Sequence, residues 1–458
     1  MATDLAEGGA VLRGRVGWWA IFFYALPPVG AGYMFCLVSL YTMKFATDIL
    51  LIAPAVMGLI FGISRFWDAI SDPLAGYLSD KTKTRWGRRR PWLFGSIIPI
   101  FVSFWMISAP MEGLSQSGLI AWMAIGVIGF YSAQTIFIVP HMSLGAELSD
   151  DYHERNKIFG ARHAGWIAGY ISALLTMSLL ISAEQESPEA VRALAAQQSL
   201  YASTFCIICL FLCAAFVKER SEFIKRPPEK PWTAARDVWQ NSHARLLLIV
   251  IFIENLGSAT ITIITLYFAE YVLKAPAMAP LFILSYMVFS FILTPIWLPL
   301  AKRAGKRNLW IASMAVTGLA FGGMTFIQPG MEWWLITLAA IAGAAGGCGG
   351  TINPSIKSDI IDYDESVTGE RKEGAYFAAW YFVTKLAYGV MLTVTGFALS
   401  LAGFVPKAEQ NMAVDWTFRM LYGGLPFVVY LIGAVLLTRF VLNEAEHEKI
   451  KSQLAERR

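Results

Sequence analysis

The sequence predicts an all-α membrane protein of twelve transmembrane helices arranged as two six-helix bundles. Three observations carry that prediction. Of the 458 residues, 56% are hydrophobic and only 15% charged, with a mean hydropathy of +0.52; a soluble domain carries about 25% charged residues. Apolar runs of about 20 residues, the length that crosses a ~30 Å hydrocarbon core as a helix, recur from end to end. The basic residues collect in every second connection. A helix satisfies its own backbone in lipid, whereas a spanning β-barrel is built from short segments of alternating hydropathy.

The spans fall at roughly 19–43, 52–78, 92–110, 117–145, 157–182, 199–217, 246–272, 277–300, 309–327, 333–356, 374–402 and 416–440. Pro27-Pro28 with Gly30 and Gly32 interrupts the first. Gly343, Gly346, Gly347, Gly349 and Gly350 crowd the tenth. Kinks and close helix crossings are expected there. The polar stretch 1–15 and the long apolar run after it carry no clear cleavage signal, so the first span is expected to stay as an anchor. Cys36, Cys206, Cys209, Cys213 and Cys348 sit in apolar spans without polar neighbours and read as packing residues rather than a metal site.

The placement of charge predicts orientation. Lys81, Lys83, Arg85, Arg88, Arg89 and Arg90 form one basic group. Lys218 to Arg245, then Lys302, Arg303, Lys306 and Arg307, then Arg439 to Arg458 form the others. The opposite connections hold only Lys44, Arg192, Lys274 and Lys407. The positive-inside rule puts both termini in the cytoplasm, as an even number of spans requires. These groups read as topology and lipid-headgroup signals, not as a nucleic-acid surface. The basic stretch 218–245 contains Pro227-Pro228 and Pro231 and reads as a linker. The expected organisation is therefore a first bundle over 1–217, a linker over 218–245, a second bundle over 246–440 and a cytoplasmic tail over 441–458. A weak internal echo supports duplication: Gly76 to Arg90 follows span two, and Pro299 to Arg307 follows span eight.

The chemistry lies in polar groups inside the spans. Asp68 and Asp72 stand four apart in Arg65-Phe-Trp-Asp68-Ala-Ile-Ser71-Asp72-Pro73, which puts them on one helix face. An ionised Asp at mid-bilayer costs roughly 2.5–3.5 kcal/mol even on the mild insertion scale, so something must offset it. Ser71 supplies a hydroxyl, and Pro73 frees the carbonyl one turn earlier, at Ala69. Such oxygens suit a hard ion such as sodium; without a metal, two close acids share a proton. The competing reading is a structural tie to Arg65 or Lys385. Lys385, in Trp380-Tyr381-Phe-Val-Thr384-Lys385, is expected to seek the Asp pair. Arg162 either donates to sugar hydroxyls or a carboxylate, or bonds carbonyls or lipid phosphate. Glu254 and Asn255 form a further polar pair without an assigned role. Charged motifs around Glu147 to Lys157 and Asp359 to Gly374 read either as a cytoplasmic gate of breakable bridges or as a solvated rim. The gate candidates are Arg65, Asp80, Arg88, Arg155, Asp359, Asp362, Arg371 and Lys385.

With these motifs in place, the chain resembles the glycoside-pentoside-hexuronide:cation symporter family, the melibiose-permease group of the major facilitator superfamily. The carrying motifs are Trp67-Asp68-Ala-Ile-Ser-Asp72-Pro73, Thr82 to Trp92, Val139-Pro140 to Arg155, and Asp359 to Gly374. They occur in the family's order and cover most of the chain. The resemblance implies a monomeric inner-membrane symporter importing a sugar, glycoside or uronide-like solute by alternating access, without a cofactor. It implies that Asp68 and Asp72 bind sodium or a proton, with Ser71 and Thr135 completing the site. It places Arg162 near the sugar and turns Lys385 toward the acids. The remaining substrate candidates are Ile138, His141, Met142, Trp380, Tyr381 and Thr384. The family's two sugar-binding acids fall here at Gly32 and Ile138, which argues against a galactoside held between paired carboxylates. An amphipathic or lipid-like anion in the same fold is the alternative substrate class. The other competing classes are a non-coupled facilitator or receptor, a lipid scramblase and a membrane-embedded enzyme. The five histidines, of which only His141 and His163 approach a span interior, argue against the last.

Overall fold

The computed structural model describes residues 16–149, 151–219, 238–369 and 373–441, together with 446, 449–450 and 452. Twelve helical segments follow one another through these residues. They are α1 (Trp18–Leu40), α2 (Pro54–Lys81), α3 (Arg90–Ser108), α4 (Gln116–Glu147), α5 (Tyr152–Glu184) and α6 (Pro188–Phe216), then α7 (Ser242–Val272), α8 (Pro276–Ile292 and Thr294–Ala304), α9 (Lys306–Met324), α10 (Glu332–Thr368), α11 (Glu373–Leu401) and α12 (Met412–Leu437). Nine of them are long and apolar enough to cross a bilayer, and α8, bent by 41° at Leu293, makes a tenth. The bend follows from Pro295, which cannot donate to the carbonyl four residues back. α2 and α9 complete the set. Their 28 and 19 residues reach about 42 and 28 Å at ~1.5 Å per residue. Arg65, Asp68, Asp72 and Asp80 lower the mean hydropathy of α2, and Lys306, Arg307 and Asn308 that of α9. Among the described residues the only β pairing is the bridge between Thr84 and Gly87.

Polar residues fix the helix starts. Ser115 accepts from the Gly118 amide, Asp151 from Glu154, Ser187 from Ala190, Asn241 from His243 and Ala244, and Asn411 from Val414. Two boundaries differ from the sequence reading. α6 begins at Pro188 rather than near 199, because the Ala-rich stretch after Ser187 continues the helix. α10 runs to Thr368 rather than 356 and closes on Gly369 at φ 76°.

The chain divides into two compact units. The first is Met1–Phe45 with Ile70–Glu229; the second is Ala46–Ala69 with Lys230–Arg458. The sequence reading put the whole of the first 217 residues in one bundle, whereas contacts group the α1–α2 connection and the first half of α2 with the second unit. The linker residues 220–237 and most of the tail lie outside the described residues. In the first unit α1 packs on α5 and α6, and α3 on α4 and α6. In the second, α7 packs on α11 and α12, and α9 on α10 and α12. Each pairing recurs six helices later. The turns after α2 and α8 repeat as well. Gly87 (φ 106°) and Gly305 (φ 79°) both occupy the left-handed region that other residues avoid.

Candidate functional site

The boundary between the units falls inside α2, between Asp68 and Asp72. Asp68, in the second unit, is 4% exposed. The Lys385 ammonium lies 2.8 Å from its Oδ2, and an Arg65 Nη lies 4.0 Å away. A glycine crossing brings these groups together. A Cβ on Gly389 of α11 would stand 2.8 Å from Arg65 Cβ, and one on Gly396 would stand 2.3 Å from the Pro54 carbonyl oxygen. Only residues without side chains let the two backbones approach so closely. Lys385 lies one turn before Gly389, which carries its ammonium to Asp68.

Asp72, in the first unit, is half-buried. The Thr135 hydroxyl on α4 donates to its Oδ1 at 2.7 Å, and the Ser71 hydroxyl donates to Thr135 at 3.5 Å. Gly76 lies beside Val139, with a Cβ there 3.6 Å from it. Both contacts step four residues along each helix, so α2 and α4 run side by side. Pro73 lies inside α2 and leaves the Ala69 carbonyl without its helical donor. The Asp72 carboxylate and the Thr135 and Ser71 hydroxyls are hard-oxygen donors, the type a sodium ion prefers. Among the described residues no three His, Cys, Asp or Glu side chains converge as metal ligands.

The expected substrate residues separate into two groups. Arg162 on α5 is half-buried, and its Nε has no hydrogen-bond partner. Ile138, Met142 and Thr384 are half-buried, and Tyr381 is 58% exposed. His141 and Trp380 are the fully packed members of the set. His141 is fully buried, stacked on the Tyr24 ring at 4.2 Å, and donates from Nε2 to the Tyr24 carbonyl at 2.9 Å. Trp380 is 1% exposed, beneath Lys357. Gly32 bears no side chain for a physical reason: a Cβ there would meet the Trp166 carbonyl oxygen at 2.5 Å. A small cavity in the first unit, lined by Leu37, Tyr41, Phe45, Phe104, Ile107 and Leu180, includes none of these residues.

The charged motifs form ties within each unit. In the first, Arg88 reaches Glu147 at 2.6 Å and Asp80 at 3.6 Å, and Arg89 also bonds both acids. Glu219 accepts from the amides of Arg88, Arg89 and Arg90, each at 2.8 Å, and so caps α3. Arg155 donates to the Ser149 carbonyl at 2.6 Å. In the second unit Lys306 holds Asp359 at 2.6 Å, and Asp362 is half-buried nearby on α10. Arg371 lies outside the described residues. The gate candidates omitted Arg89, Glu147 and Glu219; the consecutive arginines 88–90 were the available signal. Lys44, expected in an exposed connection, is buried, with Glu184 at 2.5 Å and the Tyr41 hydroxyl also donating to that acid.

The chain is similar to known proteins over nearly its whole length. The isoprimeverose transporter of Lactiplantibacillus pentosus is 26% identical over 97% of this chain and 93% of its own. The inner membrane symporter YicJ of Escherichia coli (strain K12) is 26% identical over 94% of each chain. The crystal structure of a D-xylose-proton symporter superposes with a TM-score of 0.63 at 15% identity, covering 93% of this chain and 98% of that one; it shows the shared fold. The family model described as MFS/sugar transport protein matches residues 23–444, and the chain belongs to that family.

Proposed function

We propose that this protein is a cation-coupled symporter that imports a sugar, glycoside or uronide-like solute by alternating access. One observation carries the reading: a single helix bears Asp72 among hydroxyl oxygens and, one turn earlier, Asp68 against the Lys385 ammonium. The coupling ion, sodium or a proton, binds at Asp72 with Thr135, Ser71 and the Ala69 carbonyl. A positive charge arriving there competes electrostatically with Lys385 for the acids of α2, and the ammonium becomes available to the solute. Solute-binding roles fall to Arg162, Ile138 and Met142 in the first unit and to Tyr381, Thr384 and Lys385 in the second. Arg88, Asp80, Arg155, Asp359, Asp362 and Arg371, with Arg65, form and break ties as the six-helix halves 1–217 and 246–440 change conformation. The protein works as a monomer in the lipid bilayer of an inner membrane, with both termini cytoplasmic, which the basic connections support.

The test is uptake into proteoliposomes under an imposed inward sodium gradient or proton gradient. The reading requires accumulation above the outside concentration with one gradient and collapse when an ionophore removes it. Uptake indifferent to both gradients makes the protein a facilitator or receptor and ends the symport reading.

A further inference from the structure

The second unit holds a second set of polar groups that the cation site does not use. Glu254 on α7 occupies the gap left by Gly349 on α10; a Cβ there would stand 2.5 Å from its Oε1. The Trp310 indole on α9 donates to the same oxygen at 3.4 Å. Two turns further along α10, the Lys357 ammonium stands 5.0 Å over the Trp380 ring of α11. Glu254 and Lys357 act on each other electrostatically, yet no ion pair within 4.0 Å joins Lys357 to an acid among the described residues. Between them sits Asn353. Residues 349, 353 and 357 share one helix face. Asn353 Oδ1 and Trp380 Nε1 are both buried without a hydrogen-bond partner.

A row of unmet groups in a close-packed bundle needs an explanation. Each buried polar atom left unsatisfied costs about 1–3 kcal/mol. An ammonium among membrane helices normally pairs with a carboxylate, and the ring of Trp380 supplies only part of that through its π face. The groups form an ordered series: a cation at one end, an amide acceptor in the middle, a carboxyl at the other. From Gly349 to Lys357 the series runs about 12 Å along α10 at ~1.5 Å per residue. A carboxylate on a glycoside meets Lys357, and its hydroxyls meet Asn353, Trp380 Nε1 and Glu254.

We propose that Glu254, Asn353, Lys357 and Trp380 form a substrate subsite in the second unit that selects a uronate-bearing glycoside, with Lys357 binding its carboxylate. As a statement about substrate class it rests on the transport reading above, but binding tests it separately. The probes are methyl β-D-glucuronide and methyl β-D-glucoside, which differ only at C6, titrated calorimetrically into the purified full-length protein. The wild type is expected to bind the glucuronide at least about tenfold more tightly, the minimum for a charge-assisted hydrogen bond. Lys357→Gln is expected to bring glucuronide affinity down to that of the glucoside, and Lys357→Arg to retain the preference. Glu254→Gln weakens both probes alike. Equal wild-type affinities, binding of neither probe, or a preference that survives Lys357→Gln each overturn the proposal; the first two need no variant to fold. A preference present while glucuronide uptake ignores sodium and proton gradients leaves the subsite standing and removes the symport reading instead.

Discussion

Asp68 and Asp72 are the same residue type one turn apart on one helix, about 6 Å of rise, and each meets a different group. Asp68 is buried against the Lys385 ammonium, with Arg65 beyond it. Asp72 is half-buried and takes the hydroxyl hydrogen of Thr135, which Ser71 backs. A carboxylate facing an ammonium is compensated by the protein itself. A carboxylate beside hydroxyl oxygens supplies hard donors of the kind a small cation prefers. Under the proposed symport reading, two acids that look equivalent in the sequence divide the work: Asp72 receives the ion, and Asp68 links that event to α11 through Lys385.

That division is open to attack by substitution. Asp72→Asn removes the ion's charged ligand, and gradient-driven uptake is expected to fall by at least about a hundredfold, the scale of one lost charged interaction of ~3 kcal/mol; initial rates in proteoliposomes measure it. Asp68→Asn acts first on the fold. Breaking a buried pair costs about 3–5 kcal/mol, and the partial exposure of Lys385 reduces this to about 2–3 kcal/mol. Thermal unfolding in detergent is expected to show the loss, and Lys385→Met added to Asp68→Asn is expected to recover stability without recovering transport. An Asp68→Asn variant as stable as the wild type means the ammonium is not what holds that acid. Thr135→Val deletes one oxygen of the Asp72 group and is expected to weaken the apparent cation affinity roughly tenfold, while Thr135→Ser keeps it. Ser71 sits at the far limit of hydrogen bonding, so Ser71→Ala is expected to cost only about two- to threefold. A larger effect from Ser71 than from Thr135 reverses the geometry inferred here.

Local pattern made much of this legible. Apolar run length gave the helices, and the i, i+4 spacing put both acids on one face. The cost of a lone ammonium in a span pointed Lys385 at an acid, and it meets Asp68. What the pattern hid is tertiary. Nothing local says that contacts on α2 change units between Ala69 and Ile70. Nor does local pattern show that His141 packs on Tyr24 or that Trp380 lies beneath Lys357. Gly32 occupies a position where an acid was looked for, and the nearby Trp166 carbonyl excludes any side chain. Lys44 and Glu184 lie 140 residues apart, so their pairing leaves no periodic trace. The start of α6 was missed because an alanine-rich helix with polar residues is not apolar enough to register as a span.

The central claim is that the ion and the solute are coupled through Asp72. Coupling is reciprocal: a cation that binds with the solute must raise the solute's affinity, and by the same factor the solute raises the cation's. The most direct measurement is therefore solute affinity across a range of sodium concentration and of pH, in wild type and in Asp72→Asn. The account predicts that wild-type affinity rises with one of the two cations and that Asp72→Asn binds with an affinity independent of both. An Asp72→Asn protein whose solute affinity follows the cation as the wild type's does would contradict it.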